Sequence, residues 1–423
     1  MKRLFTHIEE LVCVAQNPHT TRKAGADMAD AESIRDAFLS IVDGRIQAFG
    51  PMQDLQTAHV DDVAETIDAS GRCIFPGYVD SHTHLVFAAT REQEFKQRLS
   101  GLSYQEIAAA GGGILNSAAK TQATAEQALF ESALRRLEEV IRMGTTTLEI
   151  KSGYGLTVEA ELKLLRVANR LKQVAPIDIA VTCLAAHALP TEYKQNRGAY
   201  IKLLTQDLLP KVVDEGLAEY VDVFCEEGFF SVEESRTVLE AGLKLGLKAR
   251  VHANELAFSG GVQLGVELGA LSVDHLECVG EAELAALANS TTIPTLLPTT
   301  AFFLGIEYAP ARKLIEAGLP VALATDYNPG TSPSGNMNLV LSTACTQMKL
   351  TPAEAMVAST LNTAASLERS HEVGSLAVGK RANFWVSEPD VLRLERVPYS
   401  FGRPLVGTVY LDGEPFEGLD VML

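Results

Sequence analysis

IFPGYVDSH, residues 74–82, is a short apolar run that ends in polar side chains able to bind a metal. Seven more short, strand-like runs follow it: TTTLEIKS (145–152), IAVTCLAAH (179–187), YVDVFCEE (220–227), LKARVHANE (247–255), LSVDHLE (271–277), TTIPTLLP (291–298) and PVALATD (320–326). Amphipathic stretches separate most of them. In AEQALFESALRRLEEVIRMG (125–144) apolar residues recur at three-to-four spacing and Gly144 is a stop signal; residues 159–174 and 232–246 repeat the pattern. Eight strands alternating with helices predict an α/β fold, a (β/α)₈ TIM barrel. The rival, an open doubly wound sheet, is disfavoured because no GxGxxG follows the first strand. The GGG at 111–113 falls in a long loop after that strand and reads either as a flexible active-site loop or as a plain turn.

Outward from the barrel the pattern changes. Residues 1–73 and 375–423 carry short strand-like runs such as AFLSIVDGRIQAFG, NFWVSEPD and VGTVYLDGEPF, with Asp-Gly hairpin signals at 43–44 and 412–413. These ends are expected to form one small β-sandwich around a barrel spanning 74–374. The 423-residue length suits a domain of roughly 250–300 residues plus a smaller one.

The charge balance, 36 − 54 = −18, disfavours nucleic acid and anionic membrane surfaces as partners. Six scattered cysteines form no CxxC pair and read as reduced thiols of a cytoplasmic protein. The N-terminus lacks the apolar run of a signal peptide, and no stretch has the length of a membrane span. A homodimer is the expectation by base rate.

Nine histidines are present. His7, His19, His59 and His371 lie outside the barrel strands and receive no role. His82, His84, His187, His252 and His275 all fall at strand ends, and the eighth strand ends in Asp326. Active sites of such barrels form at the C-terminal ends of the strands. In His82-Thr-His84 the two imidazoles point to one face, so both can reach one ion. Alone, such a pair is weak; with His252 and Asp326 in register it points to zinc or iron. Glu255 follows His252 directly after a strand, where a core residue would be apolar. Asp274 stands beside His275 as a candidate structural partner. Strand 4 lacks the modified lysine that bridges the ions of two-metal barrels, so a single ion is expected. A metal ion lowers the pKa of its bound water and yields hydroxide. Glu255 is then the first choice to carry the proton to the leaving nitrogen, with Asp326 a second base and His275 polarising the attacked carbonyl.

FPGYVDSHTHL (75–85), HANE (252–255), VDH (273–275), ATD (324–326) and GSLAVGKRANFWV (374–386) resemble the amidohydrolase superfamily over nearly the whole chain. THLVFAATREQEF (83–95), GGGI (111–114), EIKSGYGL (149–156), AAHALP (185–190) and DYNPGTSP (326–333) are closer to its imidazolonepropionase family. That resemblance implies hydrolysis of 4-imidazolone-5-propanoate to N-formimidoyl-L-glutamate with one zinc or iron ion. It places the metal ligands on His82, His84, His252 and Asp326, and substrate contacts on Arg91, Tyr154, His187, Glu255, Asn328, Gly330 and Thr331. The chemistry agrees: Arg91 can grip the substrate's propionate in a fork, Tyr154 and His187 can bond the ring's polar edge, and free backbone N–H groups after strand 8 can hold a second edge. Two rivals remain: a related mononuclear amidohydrolase or deaminase acting on another heterocycle, and a barrel that has become a scaffold. The carboxylate-seeking Arg91 speaks against the first, the complete ligand set against the second.

Overall fold

The computed structural model describes residues 2–58, 63–102, 106 and 112–419. His59 and Gly111 of the GGG run lie outside the described residues.

The chain opens with β1 (Lys2–Leu11), β2 (Ile34–Val42), β3 (Arg45–Pro51), β4 (Glu65–Asp68) and β5 (Cys73–Pro76). It then builds the barrel from β6 (Tyr78–Asp80), β7 (Thr145–Lys151), β8 (Asp178–Ala186), β9 (Tyr220–Cys225), β10 (Lys248–Ala253), β11 (Ser272–His275), β12 (Ile293–Leu296) and β13 (Ala322–Leu323). Finally β14 (Phe384–Ser387), β15 (Val406–Leu411) and β16 (Glu414–Pro415) return to the first sheet. That sheet runs β16-β15-β14-β5-β1-β2-β3, with β4 paired to β1, so both chain ends share it as expected. Asp43-Gly44 and Asp412-Gly413 turn its hairpins; both pairs hold positive φ, which the tight two-residue loop requires and an Asp-Gly pair tolerates. Phe5, Phe384 and Tyr410 pack its core with centroids 4.9–5.3 Å apart.

The barrel strands neighbour one another in sequence order, and every pairing is parallel. Parallel strands covered on both sides are buried throughout, which is why they read as unbroken apolar runs. Closure between the first and last strands uses backbone contacts just past the strand ends and the Asp80 side chain. Thr83 bridges Tyr327, His84 N–H donates to Tyr327 O at 2.8 Å, and both Asp80 carboxylate oxygens accept from Thr325. The helices Glu126–Arg142, Val158–Val174 and Val232–Lys244 lie where periodicity places them.

The run 74–82, read as one strand, is two. It splits at Gly77, where a Cβ would sit 2.0 Å from Thr146 Oγ1, so only glycine lets the chain pass from sheet to barrel. Trp385, the single tryptophan, stacks on Phe75 at 4.2 Å across this junction. Such a pair contributes about 0.5–1.5 kcal/mol beyond its buried area.

Candidate active site

The strand ends converge. His82 and His84 extend β6, and His252 lies in β10; one ring nitrogen from each falls within 4.8 Å of the others. Asp326 Oδ1 is 3.5 Å from Nε2 of both His82 and His84. All four side chains are buried, and Nε2 of His82 and of His252 has no hydrogen-bond partner. Buried nitrogens left unpaired at the centre of a histidine cluster are what a metal ion would satisfy, so the donor set fits one. Burial pulls His82 well below its usual pKa and lowers His84 as well, which keeps both imidazoles neutral and able to act as ligands.

Backbone strain marks the same rim. Asn254, His275, Leu276 and Asp326 all hold positive φ, between 52° and 86°, uncommon for residues with a Cβ. Thr300 Oγ1 donates to Asp326 Oδ2 at 2.7 Å, leaving Oδ1 facing the histidines. His275 lies 5.3 Å from His252, ring to ring, with its Nδ1 3.7 Å from Glu255 and 3.8 Å from Glu277. Burial, with the charges of Asp326 and Glu226, pushes the Glu255 carboxyl up to about 8. Burial takes His275 down to about 3.

The substrate-side candidates form a continuous line from this cluster. His84 stacks on His187 at 5.2 Å and lies 5.6 Å from Tyr154. The Arg91 guanidinium sits 5.7 Å from the Tyr154 ring. Arg91 is buried and its Nε donates to Ser117 Oγ at 2.9 Å; among the described residues no hydrogen bond takes its Nη groups. Gly330 is pressed against it, since a Cβ there would lie 2.4 Å from Arg91 Nη1. The loop carrying Tyr154 is held by Glu161, whose buried carboxylate accepts from the backbone N–H groups of Gly153, Gly155 and Leu156.

Two expectations need correction. Asp274 does not serve His275; it meets His82 Nδ1 at 2.7 Å, because the inward row of β11 points across the barrel. The N–H groups of Gly330 and Thr331 are not free: both donate to Asn328 Oδ1 at 2.8 Å. Asn328 Nδ2 in turn donates to Asp326 O and Thr331 Oγ1, so this side chain braces the loop. Strand 4 does lack a lysine, but Lys151 of β7 reaches Asp222 of that strand at 2.9 Å. Sequence reading passed over Asp222, Lys151, Glu161, Thr300 and Glu277. Only Asp222 and Lys151 gave a signal, as charges inside otherwise apolar runs.

The amidohydrolase family model matches residues 73–415. The chain belongs to the amidohydrolase family. Within it, the imidazolonepropionase of Flavobacterium johnsoniae is 48% identical, covering 98% of this chain and all of that one. That of Thermoanaerobacter pseudethanolicus is 44% identical over 92% of each chain. Among solved structures, a zinc-bound adenosine deaminase from Xanthomonas campestris has a TM-score of 0.69 at 19% identity, covering 99% of this chain and 94% of that one. An E. coli guanine deaminase has 0.71 at 16%, covering 99% of each chain. At such identities these two establish the family's fold and nothing finer. No helix of the described residues is long and apolar enough to cross a membrane.

Proposed function

We propose that this chain hydrolyses 4-imidazolone-5-propanoate to N-formimidoyl-L-glutamate, as its imidazolonepropionase relatives are named for doing. The observation that carries the reading is the line from histidine cluster to buried guanidinium: His84, Tyr154 and Arg91 lie in succession, with ring and guanidinium separations of 5.6 and 5.7 Å. One zinc or iron ion would be held by His82, His84, His252 and Asp326. Bound there, it would supply Lewis acidity and a water of lowered pKa.

The chain's own groups do the rest. Arg91 grips the propionate, with Gly330 leaving room for the guanidinium. Tyr154 and His187 meet the ring's polar edge, and Asn328 and Thr331 hold the loop that borders it. Water adds its oxygen to the ring carbonyl carbon, and the bond from that carbon to the ring nitrogen breaks. Asp326 takes the water's proton, His275 orients the attacked carbonyl, and Glu255 delivers a proton to the departing nitrogen. The carbonyl carbon becomes a carboxylate still joined to the rest of the product, and the nitrogen becomes the terminal nitrogen of its formimidoyl group. The same reading expects a homodimer in the cytoplasm; all six cysteines are free thiols, and light scattering would read the mass.

The deciding assay follows imidazolone loss and ammonia release side by side. Loss of imidazolone propionate without ammonia is expected. Ammonia release with imidazolone propionate untouched would assign a deaminase instead.

A further inference from the structure

Behind the histidines lies a buried ion set that no step above uses. Lys151 Nζ is 2.9 Å from Glu149 Oε1, 2.9 Å from Asp222 Oδ2 and 3.8 Å from Asp274 Oδ2, and all four side chains are 0% exposed. Asp222 meets His252 Nδ1 at 3.1 Å, and Asp274 Oδ2 meets His82 Nδ1 at 2.7 Å. One ammonium therefore contacts both carboxylates that hold the histidines' rear nitrogens, and in each ring it is the opposite nitrogen, Nε2, that is left unpaired. Arg250 shares the hold on Asp274, its Nη2 donating to Oδ2 at 3.4 Å, but among the described residues no ion pair joins it to Asp222, which Lys151 Nζ reaches at 2.9 Å.

We propose that Lys151 is a positioning residue of the metal centre: its ammonium bonds Asp222 and so aims His252, and it lies against Asp274, which it helps Arg250 to hold behind His82. The proposal rests on the metal-site reading above. Three carboxylates face two cations here. Without the lysine they would face one, and a buried carboxylate that loses its partner is no longer held in place. Its displacement changes the hydrogen bond that directs the ring, and metal affinity follows that bond.

The test uses the full chain with Lys151→Met, which keeps most of the side chain's length and removes its charge and donors. Zinc affinity is measured by chelator competition, and the absorption spectrum of the cobalt-loaded protein reports ligand geometry. Zinc binding about 10- to 100-fold weaker than in the unmodified chain, with a shifted cobalt spectrum, is expected. Affinity within twofold and an unchanged spectrum would overturn the proposal, even if the melting temperature fell, because a merely structural lysine would lower stability alone. Should the methionine variant fail to fold, Lys151→Gln is read by the same two outcomes. An unmodified chain that binds no zinc, iron or cobalt would refute the metal reading itself; one that binds while the variant is unaffected refutes only the role of Lys151.

Discussion

Below the three histidines the buried charges are paired; above them they are not. In the floor, Glu149, Asp222 and Asp274 face Lys151 and Arg250 at 2.9–3.8 Å. In the rim, Glu255 and Glu277 have only His275 as an ion-pair partner among the described residues, at 3.7 and 3.8 Å. Both regions are buried, yet burial acts on them oppositely. In the floor, attraction between Lys151 and its carboxylates outweighs desolvation and raises the lysine's pKa, so the ammonium stays charged. In the rim no cation compensates, and burial drives Glu255 and Glu277 toward their neutral forms. The floor is a fixed frame for aiming ligands, whereas the rim can hold and release protons.

That contrast breaks most visibly at the ligands between the two regions. His252→Ala is expected to empty the metal site and cut turnover on the order of 10⁴-fold, the equivalent of several kcal/mol of lost transition-state stabilisation. Metal analysis and a steady-state assay check it. A rim change should leave metal in place: Glu255→Gln should lower kcat by about 10²–10⁴-fold with metal content and melting temperature near normal. A floor change should do the reverse. Asp274→Asn should weaken metal binding by about 10- to 100-fold and destabilise the fold, because Lys151 and Arg250 lose a buried counter-charge. If Glu255→Gln lowered the melting temperature as much as Asp274→Asn, the division into floor and rim would be false. The smallest effect belongs to the substrate side. Arg91→Ala should raise KM by roughly 10- to 150-fold, the worth of about 1.5–3 kcal/mol of charged hydrogen bonding, at unchanged metal content. Normal substrate affinity in that variant would remove the carboxylate grip from the reading.

Much of the fold was legible in the chain. Eight apolar runs stood out because strands of a parallel barrel are covered on both faces, and the two Asp-Gly turns marked the hairpins. The break at Gly77 was not legible, since Pro76-Gly77 inside an apolar run looks like a strand irregularity. It takes the position of Thr146, brought alongside by β7, to show why the chain must turn. The candidate ligands were legible because His and Asp at the ends of apolar strands have few other uses. Their supports were not. Asp222 and Lys151 showed only as charges within apolar runs, and Glu161 looked like any acidic residue in the first turn of a helix.

By itself, then, the sequence determined the alternation of strands and helices, the sharing of one sheet by both ends, and the side chains that crown each strand. These follow from local periodicity and turn chemistry. Only the tertiary structure decided the pairings: Asp274 with His82, 192 residues away, Lys151 with Asp222, 71 away, and Asn328 with its own loop. The reason is physical. A barrel strand sets which face a residue takes, but closure and register set what stands opposite, and a buried charge takes whichever counter-charge that geometry delivers.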